Sequence, residues 1–430
     1  MTKVITYGTF DLLHKGHINI LKRAKALGDY LLVGVTTENF DVTRGKINVQ
    51  QSLMERIEAV KQTGIADEVF PEEYVGQKID DIKRHGVSIF AVGSDWEGHF
   101  DYLKEYCKVV YLPRTEGVSS TQKRSEHTLK IGAIGEDPVI SKLKKLSKSV
   151  NGIEMNAIFS KRNFAEFNDK YNNFEQLLAG NDAVYVAVQP EKRYETVKKA
   201  LLQGKHVICE SPVACNKKQA QELFNIAKEK GLVLFDSIKT AYSTAFARLI
   251  LLIKSGVIGE VKSIDITCTS LENYEWLKET KYYSSFTGWG AVALLPVFKL
   301  LGIDYENCYI NTVDGEDLED IFTKLTLVYD NALATVNVGV GVKSEGDMRI
   351  SGTKGYVYVP APWWKNGYFE IRYEDAKDNK PYFYENEGEG LQTELVHFLR
   401  CVNDKKQNFY IEQEITEAVS AIMEQFKCKR

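Results

Sequence analysis

Two rounds of strand-helix alternation followed by a run of long alternating strands predict an α/β chain of three domains. Over roughly the first 125 residues, short apolar runs alternate with helical periodicity. After a polar stretch at 121–127 the same alternation restarts, and from about Val261 longer apolar-polar alternating segments take over. Short apolar strands separated by helices make a parallel sheet with crossover helices, whereas period-two strands in succession make an open, mostly antiparallel sheet. The expected architecture is a doubly wound parallel-sheet α/β domain at 1–126, a Rossmann-like α/β domain at 129–245, and an α+β domain with a large, mostly antiparallel sheet at 246–430.

In the first domain the strands are expected at 4–6, 30–35, 68–70, 89–92 and 109–112, with helices at 18–27 and 52–63. In the second they fall at 129–134, 155–159, 183–188, 206–209 and 233–236, each followed by a helix-like segment. In the third, 264–269, 323–328, 332–338 and 356–359 read as strands and 412–426 as a closing helix. A chain of 430 residues exceeds what one core organises, and 44% hydrophobic with 27% charged residues suits globular domains. No apolar run is long enough to cross a bilayer, and the N-terminus enters a strand with no secretory pattern, so a cytoplasmic protein is expected. Seven cysteines without paired metal spacing point to free thiols, with neither a disulfide nor a structural zinc. A net charge of −4 gives no basis for a nucleic-acid surface, and small phosphorylated ligands fit better.

Residues 5–17 read Ile-Thr-Tyr-Gly-Thr-Phe-Asp-Leu-Leu-His-Lys-Gly-His, a strand leading to His14 and His17 at the start of a helix. Three apart, the two imidazoles face the same way. Gly16 between them lets backbone approach a phosphate, and the helix N-terminus adds its dipole. A hundred residues on, Arg114-Thr115-Glu116-Gly117-Val118-Ser119-Ser120-Thr121 ends in hydroxyls at a second helix start. Donors gathered around phosphorus, with little need for covalent participation, are what nucleotidyl transfer requires. The pair of segments therefore predicts a site where a nucleoside triphosphate is split between its first and second phosphates.

Several motifs of residues 1 to about 124 resemble the bacterial glycerol-3-phosphate cytidylyltransferase family: Tyr-Gly-Thr-Phe-Asp-Leu-Leu-His, Arg-Ala-Lys, Leu-Gly-Asp-Tyr, Asp95-Trp96-Glu97-Gly98 and Val-Val-Tyr-Leu-Pro-Arg-Thr-Glu-Gly. The resemblance implies that CTP is contacted by Thr9, Phe10, His14, Lys15, Gly16, His17, Lys46, Arg114, Thr115, Glu116, Gly117, Val118, Ser119, Ser120 and Thr121. Of these, His14, His17, Lys46 and Arg114 would serve catalysis. Arg44 and Lys78 would hold the acceptor's phosphate, with Arg44 standing where the family usually shows lysine. The implied reaction is attack by a polyol-phosphate oxygen on the α-phosphorus of CTP. Pyrophosphate leaves, and Mg²⁺ bridges the triphosphate without a protein metal ligand. Phosphocholine and phosphoethanolamine cytidylyltransferases carry similar motifs, and the overall match favours glycerol 3-phosphate, giving CDP-glycerol for a surface polymer.

From about Leu129 onward the chain resembles the glucose-fructose oxidoreductase and inositol dehydrogenase family, on Asp182-Ala-Val-Tyr-Val-Ala, Ala200-Leu-Leu-Gln-Gly-Lys-His-Val-Ile-Cys-Glu210, Gly256-Val-Ile-Gly-Glu-Val and Ile350-Ser-Gly-Thr-Lys-Gly. These are scaffold positions, and the chemical ones depart from the pattern. Of the three-glycine fingerprint only Gly135 stands, followed by Glu136 and Asp137. Ser160-Lys161-Arg162 closes the second strand, where a basic pair suits an NADP(H) 2′-phosphate or a solvated turn. Gly135, Ser160, Lys161, Arg162 and Glu210 are thus the cofactor-binding candidates. The family's lysine is replaced in Glu210-Ser211-Pro212, and its aspartate and histidine fall near Leu294 and Phe298. Lys239 with Tyr242, or Tyr282 and Tyr283, are substitute proton donors. Two readings follow: an NADP(H)-dependent reductase that makes the polyol phosphate, or a binding and oligomerisation module. Resemblance in both parts implies a homodimer.

Overall fold

The computed structural model describes residues 1–37, 49, 51, 53–73, 76–113, 128–271, 284–316, 319–365, 367–384, 387–406 and 408–428. It divides into two compact units, Met1–Thr128 with Ser149–Gly152, and Leu129–Lys148 with Ile153–Arg430. The second and third expected domains thus lie within one unit.

In the first unit β1 (Lys3–Gly8), β2 (Tyr30–Thr36), β3 (Glu68–Glu72), β4 (Ile89–Gly93) and β5 (Lys108–Leu112) form a wholly parallel sheet of order β3-β2-β1-β4-β5. Successive residues of each strand feed opposite faces. Val4, Leu31, Val33 and Ala91 meet α1 (Lys15–Lys25) and α2 (Leu53–Gln62) on one side. Ile5, Tyr7, Leu32 and Phe90 meet α3 (Gln77–His85) on the other. Burial on both faces explains why the strands read as continuous apolar runs. Helix α3 was not expected, because Ile79 and Ile82 are its only aliphatic side chains. The strand order reverses between β1 and β4, which opens a crevice at the carboxyl ends of these strands.

The second unit begins with β6 (Leu129–Gly135), β7 (Ile153–Phe159), β8 (Asp169–Tyr171), β9 (Ala183–Ala187), β10 (His206–Glu210) and β11 (Leu234–Ser237). They form a six-stranded parallel sheet of order β11-β10-β9-β6-β7-β8. Helices α4 (Val139–Ser147), α5 (Phe174–Gly180), α6 (Pro190–Leu202) and α7 (Lys217–Glu229) accompany these strands, and α8 (Thr244–Lys254) follows.

The remainder is an eight-stranded sheet of β12 (Val261–Ser270), β13 (Asn307–Val313), β14 (Phe322–Tyr329), β15 (Ala332–Val340), β16 (Met348–Gly352), β17 (Tyr356–Val359), β18 (Tyr368–Arg372) and β19 (Lys380–Phe383). Its order is β13-β14-β15-β12-β16-β17-β18-β19, antiparallel except where β12 runs parallel to β15. Helix α9 (Ser285–Leu301) packs on this sheet and is followed by α10 (Leu391–Asp404) and α11 (Gln413–Cys428). A Ser284–Thr287 capping box starts α9, and the buried Asp320 accepts from the Ser285 hydroxyl. Being apolar on nearly every side and holding Pro296, α9 shows no helical contrast in the sequence.

The last helix turns back onto the first sheet of its own unit. It packs on α7 and α9, with Phe426 against Phe286 at 5.0 Å. Gln221 Nε2 donates to Glu417 at 2.9 Å, and Lys427 pairs with Glu191 at 2.9 Å. Among the described residues no helix is long and apolar enough to cross a membrane.

Candidate functional site

The turn from β1 into α1 is built against the preference of its residues. Phe10 and Leu12 adopt φ of +52° and +47°, left-handed values that cost a side-chain-bearing residue ~1–3 kcal/mol each. What holds them there is a buried polar brace. Arg56, fully buried on α2, donates from Nη1 to the carbonyls of Thr9 at 2.8 Å and Thr36 at 2.7 Å, and from Nε to that of Gln51 at 3.1 Å. Gln51 receives Leu12 N–H on Oε1 at 2.8 Å and gives its own N–H to Asp11 Oδ1 at 3.0 Å. The Thr36 hydroxyl reaches that of Thr9 at 3.3 Å.

This turn delivers His14 as the N-cap of α1, with extended backbone and Nδ1 accepting from Gly16 N at 3.1 Å. A ring nitrogen that accepts carries no proton, so the neutral imidazole bears its hydrogen on Nε2 as a donor. The His17 ring stacks on His14, centroids 3.8 Å apart and planes 17° apart, and Phe10 meets it edge-on at 5.5 Å. Lys15 is exposed between them and Gly16 is buried. The first turn of α1 holds no acidic residue, while Lys22, Arg23 and Lys25 occupy its last turn. Both ends suit the dipole, and the N-terminal end favours an anion.

Lys78, expected at the acceptor phosphate, lies on the opposite face of the same sheet edge. It is buried against Glu72, the last residue of β3, with its ammonium 4.6 Å from the Tyr7 ring centre and 5.6 Å from that of Phe100. The Tyr7 hydroxyl donates to Asp81 at 2.8 Å, and burial, then the Asp81 carboxylate, push its phenol far above its ordinary range. Across the crevice Ser94–Trp96 forms a short turn directly after β4, with Trp96 against His99 and Phe100. Expected nucleotide and acceptor residues therefore approach the carboxyl edge from its two faces. Arg44, Lys46 and the whole of 114–121 lie outside the described residues. Asp11, Gln51 and Arg56 escaped sequence reasoning. An arginine beside Ile57 and four before Val60, on the buried face of α2, was the signal available.

In the second unit the expected cofactor residues surround the carboxyl ends of β6, β7 and β10. Gly135 is required as glycine: its φ is +126°, and a Cβ would stand 2.1 Å from the Ala187 carbonyl oxygen. Asp137 Oδ1 accepts from Val139 N at 2.8 Å, at the start of α4, beside the N–H-less Pro138. The Glu136 carboxylate accepts from Lys161 N at 3.4 Å, Arg162 Nη1 reaches the Glu136 carbonyl at 3.5 Å, and Ser160 Oγ accepts from Arg162 N at 3.0 Å. Glu210 accepts from the Tyr185 hydroxyl. Burial, then the nearby Asp137, push its carboxyl up to about 7. Asp236, which accepts from Val213 N at 3.1 Å, is pushed up to about 6 by burial. Glu394 accepts from the Ser237 hydroxyl at 3.0 Å and is raised well beyond the usual carboxylate range by burial, with Glu210 adding to it.

The substitute proton donors are committed elsewhere. Lys239 pairs with Glu389 at 2.6 Å, and Lys142 and Lys365 reach the same carboxylate at 2.9 and 3.7 Å. Against the effect of burial, these ammoniums hold Glu389 down to about 2. Tyr242 is buried, its oxygen accepts from Asn408 Nδ2 at 2.7 Å, and burial pushes its phenol far up. Leu294 and Phe298 are core residues of α9. Tyr282 and Tyr283 lie outside the described residues. Among the described residues no group of three or more His, Cys, Asp or Glu side chains is placed to hold a metal ion.

Both resemblances are borne out by comparison with known proteins. Residues 5–129 match the cytidylyltransferase-like family model, and 139–237 match that of the oxidoreductase family with an NAD-binding Rossmann fold. Glycerol-3-phosphate cytidylyltransferases of Bacillus spizizenii and Bacillus subtilis are 49% and 51% identical over 126 residues, in each case 29% of this chain and 97% of the relative. A dTDP-3,4-didehydro-2,6-dideoxy-α-D-glucose 3-reductase of Actinomadura kijaniata is 27% identical over 183 residues, 41% of this chain and 52% of that protein. The crystal structure of a 3-ketoreductase from the same organism, in complex with NADP and TDP-benzene, superposes with a TM-score of 0.60 at 18% identity. It covers 69% of this chain and 95% of the other, which establishes the fold of the second unit. With almost the full length of those transferases reproduced by its first unit, the chain belongs to the cytidylyltransferase-like family.

Proposed function

We propose that the protein transfers CMP from CTP to glycerol 3-phosphate, giving CDP-glycerol and pyrophosphate. The observation that carries this reading is the stacked His14–His17 pair at the N-terminus of α1, with His14 Nδ1 committed to the cap, which leaves Nε2 as the ring's donor nitrogen. A phosphate oxygen of the acceptor attacks the α-phosphorus. The bond from that phosphorus to the oxygen bridging the β-phosphate breaks, and the electron pair leaves on pyrophosphate. Charge grows on the oxygens around the α-phosphorus, where preorganised donors and the helix dipole act most strongly. Mg²⁺ brought with CTP would offset the charge of the triphosphate.

By family resemblance Lys46, Arg114 and the stretch from Thr115 to Thr121 complete the nucleotide site, and Arg44 with Lys78 takes the acceptor phosphate. Lys78 is already paired with Glu72, so the acceptor would compete with that carboxylate for the ammonium. We place the enzyme in the cytoplasm, where CTP is made, as a homodimer supplying an activated polyol phosphate to a polymer-forming transferase.

Purified protein incubated with CTP, Mg²⁺ and, separately, glycerol 3-phosphate, phosphocholine or phosphoethanolamine tests the reading by pyrophosphate release. The expected result is release with glycerol 3-phosphate and loss of it in His17→Ala. Release confined to phosphocholine or phosphoethanolamine would replace the acceptor, and release with none would overturn the activity.

A further inference from the structure

A dinucleotide bound by a doubly wound sheet lays its diphosphate on the N-terminus of the helix after the first strand, where glycine normally lets backbone come close. In the second unit that place already holds an acidic side chain of the protein's own. Asp137, two residues after Gly135, turns its carboxyl onto Val139 N at 2.8 Å, and Pro138 beside it has no N–H to offer. Arg193, Lys239 and Arg162 act electrostatically on Asp137, and Arg193 and Lys239 on Glu210 as well, so the nearby cations already serve the protein's own acidic groups. Glu210 and Glu394 are in electrostatic contact with each other, and Asp137 acts on Glu210. Three nearby ammoniums, Lys142, Lys239 and Lys365, are gathered on Glu389. The backbone segment carrying Glu389 is itself seated on Lys239, since a Cβ at Gly390 would lie 2.1 Å from the Lys239 carbonyl oxygen. A diphosphate at α4 would have to displace the Asp137 carboxyl from Val139 N, and it would meet buried carboxyl groups in place of a row of backbone N–H donors.

We infer that this unit keeps the architecture of a dinucleotide-binding domain but excludes the dinucleotide, with the Asp137 carboxyl standing where the ligand's diphosphate would meet α4. The same arrangement accounts for the strong conservation of shape beside lost chemistry: the sheet, the Gly135 contact and the helix start remain, while the helix start is satisfied from within. The residues present therefore do not fit NADP(H) or NAD(H), and no hydride step is assigned to this unit. The inference concerns the second unit alone and stands whether or not the first transfers CMP to glycerol 3-phosphate.

The test is direct titration of the full chain with NADPH and NADH, followed by nicotinamide fluorescence and by calorimetry. Wild-type protein is expected to show no saturable binding up to ~1 mM of either. Asp137→Gly, which clears the seat, is expected to bind one of them at least ~10-fold more tightly than wild type. Asp137→Asn keeps a capping oxygen for Val139 N and removes the acidic group, so it remains folded and should show an intermediate gain even if the glycine variant does not fold. Saturation of wild type below roughly 100 µM overturns the inference. So does a folded Asp137→Asn or Asp137→Gly protein that responds no better than wild type, because Asp137 would then not be what closes the site.

Discussion

Replacing Arg56 by lysine should cripple catalysis without touching a group that meets substrate. The guanidinium holds three backbone carbonyls at 2.7–3.1 Å from two nitrogens pointing in different directions, and an ammonium at the end of a lysine cannot reach all three. Hydrogen bonds from a charged donor contribute ~1.5–3 kcal/mol each, so loss of two removes roughly 3–6 kcal/mol before relaxation. That is comparable to the ~2–6 kcal/mol of strain at Phe10 and Leu12 together. The turn should therefore relax, and with it the cap position of His14. A misplacement of ~1 Å costs about 100-fold in rate, equivalent to ~2.7 kcal/mol. Pyrophosphate release under CTP and glycerol 3-phosphate saturation should thus fall ~100-fold in kcat for Arg56→Lys, with a lowered melting temperature. Gln51→Ala should act through the same turn, so the double variant should lose less than the sum of the two. An Arg56→Lys enzyme within about threefold of wild type in kcat/KM would show that the turn holds itself.

At the histidines, His14→Ala removes both a cap and a donor, whereas His14→Asn keeps a capping oxygen. Both should lose ~100- to 1000-fold in kcat, but the alanine variant alone should also lose ~1 kcal/mol of stability by thermal unfolding. The carboxyl of Asp236 is raised from 3.8 to about 6 by burial, so the folded state favours its protonated form. Its stabilising contribution, roughly 3 kcal/mol, is full below the unfolded value and is lost as pH rises through about 6. Calorimetry of the full chain between pH 4 and pH 7 should show a falling melting temperature for the second unit that Asp236→Asn makes shallower, with Glu210 supplying the remaining slope; an unchanged slope in that variant would refute the assignment. Gly135→Ala forces a Cβ against the Ala187 carbonyl at a φ of +126°, and should destabilise the second unit by more than ~3 kcal/mol, read as a lowered transition in the same experiment.

Residues whose role is set by local pattern were legible in the sequence. His14 and His17 announce themselves by spacing at a strand-to-helix junction, and the parallel strands by their apolar runs. What escaped was long-range. Arg56 acts on a carbonyl 47 residues away, and no period of the sequence relates α2 to Thr9. Helix α9 was missed because burial on all sides erases the contrast on which periodicity depends, and α3 because its few apolar residues left too little of it. For Asp137 the sequence showed an acidic residue where glycine belongs, and hence a repulsion. It did not show that the carboxyl turns inward to satisfy the helix start, which depends on the side-chain rotamer.

The return of α11 onto the sheet that opens its own unit also dictates when that unit can finish forming. At ~5–20 residues per second, the ribosome needs roughly 15–60 s to go from Leu129 to Cys428. During that interval the groove at Gly290, which Met423 will fill, and the Phe286 face, which Phe426 will cover, are open to water. The first 128 residues carry their whole five-stranded sheet and can close long before. A nascent chain would thus hold a finished transferase fold ahead of an unfinished partner, and a nonsense codon near the end should yield protein that is captured by chaperones yet retains its first unit.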